Sequence, residues 1–115
     1  MNLNPKFEDF EKEIGIEVEQ DEYTGKQNKY FVFQYEDERA ALHGDNRPLE
    51  DICYIQLRMY TPKKFNYFEL KKKTRDYFET SGFYISSIFS YLEDATIDGL
   101  KMRCTVFKLE CVGAH

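Results

Sequence analysis

The chain has 115 residues, which fits a single domain (1–115), and its ten Phe and nine Tyr predict an aromatic core. With 32% charged residues and only 6 Gly and 3 Pro, the sequence is typical of a folded protein and excludes a disordered or low-complexity segment. The net charge of −5 argues against a dedicated nucleic-acid-binding protein, because such proteins usually carry an excess of Lys and Arg.

The first predicted element is a helix over residues 5–14. Asn4 is expected to be the N-cap, Pro5 suits the first helical position, and Gly15 suits the left-handed conformation that ends many helices. The segment IEVEQ that follows can add a short edge strand. The N-terminus lacks the basic and apolar regions of a signal peptide, and no apolar run approaches the roughly 18 residues of a membrane span.

Two strands joined by a long loop are predicted next. Residues 30–36 (YFVFQYE) are aromatic and β-branched, which is typical of a buried strand. Residues 52–60 (ICYIQLRMY) alternate, so one face should enter the core and the other should remain polar and aromatic. These two sets are Cys53, Ile55, Leu57 and Met59 on the core face, and Tyr54, Gln56, Arg58 and Tyr60 on the other. Residues 37–51 between the strands contain several turn formers and are predicted to be a loop.

The second half repeats this pattern of one helix and two strands. Thr61-Pro62 ends the strand, and a helix is predicted from residue 65 to residue 80, ending before Gly82. Strands are predicted over 83–93 and 100–112. The apolar positions of the last strand change phase partway, which predicts a β-bulge near Val106-Phe107. Burial of the strand end on both faces is the alternative.

Together these elements predict an α+β fold with the order α-β-β-α-β-β. We expect one antiparallel sheet with the helices packed on one face and a long loop between the first two main strands. The second face of the sheet, which includes Tyr54 and Tyr60, is expected to stay open. An open aromatic face in a small domain suggests a surface for a partner.

The segment ALHGDNRPLED, residues 41–51, has the composition of a small active site. However, the three cysteines (Cys53, Cys104 and Cys111) lie inside apolar strand patterns, where reduced thiols serve as packing. His43 and His115 alone supply too few ligands for a metal site. The sequence therefore predicts no catalytic residue, no metal and no cofactor. The loop is interpreted as an arm that docks on another subunit through Arg39, His43, Asp45, Asn46 and Arg47.

Charge is distributed unevenly along the chain. Residues 6–22 hold eight acids and two lysines, whereas residues 61–75 hold six basic residues and one acid. The basic residues are Lys63, Lys64, Lys71, Lys72, Lys73 and Arg75. Two solvated faces of one domain are the simplest interpretation. Head-to-tail contact between copies in a ring is the sharper one. Because Phe65, Tyr67 and Phe68 lie among these basic residues, single-stranded nucleic acid is a third candidate partner.

The succession of elements over residues 29–110 resembles a family of siphophage tail-completion proteins, also called tail terminators or tail-to-head joining proteins. The matching segments are the strand YFVFQY, an acidic loop with the turn LHGDNR, the strand IQLRMYTPKK, the helix end ETSGFY and the last strand TVFKLE. The N-terminal FEKEIGIEV also looks like the short helix, Gly and strand of this family.

The resemblance implies a non-enzymatic structural protein of the virion neck, assembled in the bacterial cytoplasm. Such proteins form a hexameric ring on the tail tube, stop its elongation and present a surface to the head connector, and many stay monomeric until assembly. The implied partners are further copies, the tail-tube protein and the head completion protein, with no membrane. DNA would only pass through the ring lumen. Another neck or minor capsid component of the head-tail connector is the alternative.

Overall fold

The structure, a computed structural model, describes the backbone of residues 1–44, 47–97 and 99–114, with side chains outside 39–50, 94–98, 100 and 114–115. The elements in this part of the chain are α1 (Asn4–Ile14), β1 (Val18–Gln20), β2 (Tyr30–Gly44), β3 (Arg47–Pro62), α2 (Phe68–Thr80), β4 (Phe83–Ile97) and β5 (Leu100–Ala114). The strands form one sheet in the order β1-β2-β3-β5-β4. All neighbouring strands are antiparallel except β1 and β2.

The predicted α+β class is confirmed, and the chain has one strand more than the predicted α-β-β-α-β-β order. The additional strand is β1, which lies within the IEVEQ segment and pairs with β2 in parallel at the sheet edge. Among the described residues, neither helix combines the length and apolar character needed to cross a membrane.

Helix α1 ends as predicted but does not begin with the predicted cap. Gly15 adopts the left-handed conformation with φ of 72°, and its N–H donates to the Glu11 carbonyl at 3.0 Å. At the other end, the helix starts at Asn4 itself and has no side-chain cap. The Asn4 Oδ1 instead accepts a hydrogen bond from the Tyr35 hydroxyl at 2.6 Å. The side chain expected to cap the helix therefore attaches the helix to the sheet.

Helix α2 begins at Phe68, three residues later than predicted. The residues before it form other contacts: the Lys63 N–H donates to the Lys101 carbonyl at 2.8 Å, and the Phe68 N–H donates to Asn66 Oδ1 at 3.3 Å. Lys63 and Lys64 therefore lie in the connection between β3 and α2, and not on the helix.

The predicted loop over residues 37–51 is wrong, because β2 and β3 continue pairing until Gly44 lies opposite Arg47. Register shifts interrupt the pairing between Tyr35 and Asp37 and at two places between Ala40 and His43. Each shift changes which face the next residues occupy, so the alternation that normally indicates a strand is lost. The long loop is thus a long hairpin, and Asp45 and Asn46 lie outside its described residues.

The core is aromatic, as predicted, and lies between the two helices and one face of the sheet. Phe7 of α1 stacks on Phe33 of β2 at 4.0 Å between ring centroids, and Phe78 of α2 meets Phe83 of β4 at 5.1 Å. The predicted core face of β3 is confirmed, because all four of its side chains are at most 2% exposed. The buried members are Leu3, Phe7, Phe10, Phe31, Phe33, Cys53, Ile55, Leu57, Met59, Phe78, Phe83, Phe107, Leu109 and Cys111.

The bulge predicted near Val106-Phe107 is also wrong. Strand β5 pairs with β3 without a register shift from Ala114 to Met102. Val106 and Phe107 point to opposite faces, and both are buried because β5 lies inside the sheet with a strand on each side. The alternative, burial of the strand end on both faces, is correct only for the middle of the strand: residues from Cys104 to Phe107 are buried, whereas Val112 near the end is 54% exposed. The irregularities occur instead on the edge strand β4, between Ile85 and Ser87 and between Leu92 and Thr96.

Candidate functional site

Three of the five interface residues predicted in the loop lie on the β2–β3 hairpin. Arg39 is opposite Ile52, His43 is opposite Pro48, and Arg47 is opposite Gly44. The hairpin thus brings Arg39, His43 and Arg47 toward one end of the sheet, and their side chains lie outside the described part. Asp45 and Asn46 lie outside it entirely. A role for these five residues in subunit contacts stays a prediction.

The three cysteines have the properties of packing residues. All are buried and unpaired, including Cys53 and Cys111, which lie directly opposite each other on β3 and β5. Burial raises the pKa of each thiol, so the reactive thiolate is disfavoured at neutral pH. Within the residues whose side chains are described, no group of three or more His, Cys, Asp or Glu side chains is arranged to hold a metal ion.

Most side chains of the predicted basic segment form no ion pair with the described residues. Asp76 accepts from Lys72 at 2.9 Å and from Arg75 at 3.3 Å, and the hydrogen bond between Asp76 and Lys72 lowers the pKa of Asp76 and raises that of Lys72. Lys63, Lys64 and Lys73 are exposed. In the described part of the chain, neither these three nor the half-buried Lys71 forms an ion pair. The segment is therefore a cationic surface with little internal compensation.

Exposed acidic and basic side chains are concentrated near opposite edges of the sheet. Helix α1 packs over β2, with Phe10 against Phe31 at 5.0 Å, and this side ends at β1. Helix α2 packs over β4 at the other edge. Exposed acids next to β1 (Glu8 of α1, with Glu17, Asp21 and Glu22 around the strand) form an acidic α1 side at this edge, and the basic side chains of α2 lie on the β4 side. Glu13 is not part of this acidic side, because it lines a cleft with Lys73 and Asp76 of α2.

Among the described residues, no helix covers the second face of the sheet, which is rich in aromatic rings. The prediction that this face stays open is correct only in part, because Tyr30, Val32 and Met102 on it are at most 5% exposed. Tyr30 lies between Tyr23 and Tyr60, at ring distances of 3.8 and 4.8 Å. The Arg58 guanidinium donates to the Tyr60 hydroxyl at 2.9 Å. These side chains line an open pocket of about 340 Å³ with the carboxylate of Glu93 among its walls. The central part of this face is therefore tyrosine-rich and carries both charges.

Farther toward β4, the same face exposes large apolar side chains. Tyr84, Phe89 and Tyr91 are 67%, 45% and 43% exposed, and they lie opposite Glu110, Val106 and Cys104 of β5. The sequence interpretation missed these three rings. The signal was present as alternation within residues 83–93, but the bulge at Ser86 reverses it after the first three residues. We call Tyr84, Phe89 and Tyr91 the open-face aromatic group.

No protein-family model matches the chain, and no curated protein matches it either. The functional interpretation therefore depends on the chain's own geometry and on the resemblance described for its sequence.

Proposed function

We propose that the protein is a structural component of a siphophage virion that caps the tail tube as a hexameric ring, ends tube elongation and joins tail to head without catalysis. The ordered resemblance of residues 29–110 to tail-completion proteins suggests the role. The structural observation that carries the proposal is the placement of exposed acids around the edge strand β1 and of exposed basic residues on α2, which packs over the opposite edge strand β4.

A ring requires two different complementary patches on each subunit, placed so that one subunit cannot satisfy both by itself. The acidic α1 side next to β1 and the basic α2 side meet this requirement, because β1 and β4 are opposite edges of the sheet. In the proposed ring, α2 of one subunit lies beside α1 of the next. Surface charges of this kind attract over roughly 8 Å at physiological ionic strength, so the ring should weaken as salt rises.

The remaining surfaces suit contacts with other virion proteins. The β2–β3 hairpin extends the sheet at one end, and the open-face aromatic group offers apolar area that is not used within the subunit. We assign the tail-tube protein and the head completion protein as the partners of these surfaces. The residues on the hairpin to test are Arg39, His43, Asp45, Asn46 and Arg47.

Electron microscopy of the purified protein mixed with assembling tail tubes tests the proposal. A ring at one end of each tube and a narrow distribution of tube lengths are expected. Normal elongation with no ring would reject the proposed function. Crosslinking in intact virions separates the alternative, since contacts only with the head completion protein would assign the chain to another position in the neck.

A charge exchange tests the proposed subunit contact. The double substitution Lys72→Glu with Lys73→Glu should abolish rings, because the α2 side would then repel the neighbouring α1 side. Adding Glu8→Lys and Glu22→Lys, on the acidic side next to β1, to the same chain should restore them. A matched reversal at Lys26, an exposed lysine in the β1–β2 connection, should leave rings intact. Failure of the four-residue exchange to restore rings would assign the contact to other surfaces.

A further inference from the structure

The outer edge of β4 is an unpaired sheet edge. Strand β4 is the terminal strand of the sheet and pairs only with β5. Among the described residues, no backbone hydrogen bond joins its outer side to another segment. The six residues 87–92 lie between the two register shifts and keep regular pairing with β5, so their outward N–H and C=O groups form a straight template for another strand.

The sequence of this edge lacks the usual protection against pairing. Residues 83–92 (FYISSIFSYL) contain no charged residue, no Pro and no Gly, although 32% of the chain is charged. Natural edge strands are commonly blocked by Lys, Pro or inward-pointing charges. An uncharged, β-branched and aromatic edge of this length is expected to be covered by another strand.

We propose that residues 87–92 pair with the same residues of a second copy, as an antiparallel dimer centred on Ser90. In this register Phe89 lies opposite Tyr91 of the second copy and Tyr91 lies opposite its Phe89. On the other face, Ile88 lies opposite Leu92. Every apolar side chain then meets an apolar side chain on its own face, and the two sheets join with their helices on the same side.

A second copy fits this edge better than the other candidates do. The opposite sheet edge, β1, has only three residues and is flanked by Glu17, Asp21 and Glu22, so it offers little length and no matching neutral surface. A charged partner strand would gain no ion pair from an uncharged edge. Pairing of the edge with its own copy requires no charge complementarity. Because the contact is isologous, two copies complete it, and no unpaired β4 edge remains for a third copy.

The inference is independent of the proposed ring. The dimer would form in the free protein through β4, whereas the ring contact uses helix surfaces. Loss of tube capping would therefore not bear on the dimer, which is measured on the purified chain without tail tubes.

Sedimentation of the purified chain over a range of concentrations tests the dimer. The wild-type chain should show a reversible monomer–dimer equilibrium. Phe89→Lys or Phe89→Glu alone should raise the dissociation constant at least about tenfold, because like charges then lie at diagonal positions across the pair. Mixing the two variants should restore dimers. Phe68→Lys and Phe68→Glu change the 66% exposed Phe68 on α2 and should have no effect.

Engineered crosslinks test the register. Ser90→Cys should give a disulfide-linked dimer under mild oxidation, because residue 90 meets its own copy at the symmetry axis. Ser87→Cys, opposite Glu93 of the second copy, should crosslink far more slowly. The three native cysteines are buried, so the wild-type chain should not crosslink under the same conditions and serves as the control. A monomer at all concentrations, or dimers unchanged by both Phe89 variants, would overturn the inference, and crosslinking at position 87 in preference to 90 would overturn the register.

Discussion

The two faces of the sheet use aromatic residues in different ways. On the helix face, Phe7, Phe10 and Phe78 are at most 1% exposed and meet rings from both helices and the sheet. On the open face, Tyr84, Phe89 and Tyr91 remain 43–67% exposed. Rings of the first kind stabilise the fold. Rings of the second kind contribute little to folding stability and leave apolar surface exposed for contact with another protein.

The buried polar groups of the two faces differ less than the rings do. On the helix face, the Tyr35 hydroxyl both donates to Asn4 Oδ1 and accepts from the Leu3 N–H at 2.9 Å, which locks the start of α1 onto the sheet. On the open face, the Arg58 guanidinium has no carboxylate partner within the described residues, and its Nε is buried without an acceptor. The helix face is not fully satisfied either, because the buried Thr61 Oγ1, on the same face of β3 as Met59, also has no partner among the described residues.

The largest expected contrast is between two phenylalanines. Phe78→Ala should lower the free energy of unfolding by about 3–5 kcal/mol, because it leaves a cavity among Phe7, Phe10 and Phe83. Phe89→Ala should lower it by about 1 kcal/mol or less, because the ring is already partly in water. Urea unfolding of both variants measures the difference, with Phe68→Ala as an exposed control. Equal losses for Phe78→Ala and Phe89→Ala would show that the open face is part of the core.

Removing the Tyr35 hydroxyl should have an intermediate effect. Tyr35→Phe deletes the bonds to Asn4 and Leu3 while keeping the ring, and we expect a loss of about 1 kcal/mol. Amide hydrogen exchange should show faster opening of α1 than of α2, since only α1 is attached through this group. Uniform acceleration across both helices would contradict a local role for Tyr35.

Alkaline pH should destabilise the protein through tyrosines that include open-face residues. A hydrogen bond with Cys104, followed by burial, raises the pKa of Tyr91 to about 12, and burial also raises that of Tyr60. In the unfolded chain tyrosine ionises near pH 10. The contribution is therefore complete below about pH 10 and is lost as the pH rises toward 12.

Urea midpoints measured at neutral pH and above pH 10 test this dependence. The wild-type midpoint should fall over that interval, and Tyr91→Phe should reduce the fall because one of the titrating groups is removed. A midpoint that does not change above pH 10 would show that these hydroxyls have the same affinity for protons in both states.

The smallest expected effect concerns the surface of α2. Asp76→Asn removes the acceptor of Lys72 and Arg75, but all three side chains are well exposed, so no measurable loss of stability is expected. Unfolding midpoints at low and high salt provide the measurement. A loss of stability that disappears at high salt would mean that Asp76 offsets electrostatic repulsion among the α2 lysines.

The regular parts of the fold were predictable because their local signals agree with their burial. Residues 52–60 alternate without interruption, and the structure buries Cys53, Ile55, Leu57 and Met59 on one face. Gly15 ends α1 for the conformational reason that the sequence suggests. The open face followed from the same alternation, since the residues between these four carry polar groups and rings.

The irregular parts were not predictable because strand pairing overrides local patterns there. The bulges of β2 break the period that would have identified residues 37–44 as a strand, and Gly44 was interpreted as part of a loop when it lies at the end of the hairpin. The bulge at Ser86 concealed the open-face aromatic group. In β5, the change of phase at Val106-Phe107 reflected burial on both faces. Burial on both faces and a bulge give the same sequence pattern, and only the positions of the neighbouring strands distinguish them.

Because β5 lies between β3 and β4, the strands must join the sheet in a particular order during synthesis. The β2–β3 hairpin joins neighbours in sequence and can form as soon as both strands leave the ribosome. Strand β4 joins the sheet only when β5, which follows it in the chain, inserts between it and β3. Pairing between distant segments is slow, and the strand edges stay exposed until it is complete. A chain truncated before residue 100 would therefore present two uncovered edges, on β3 and β4, and should aggregate however well its helices form.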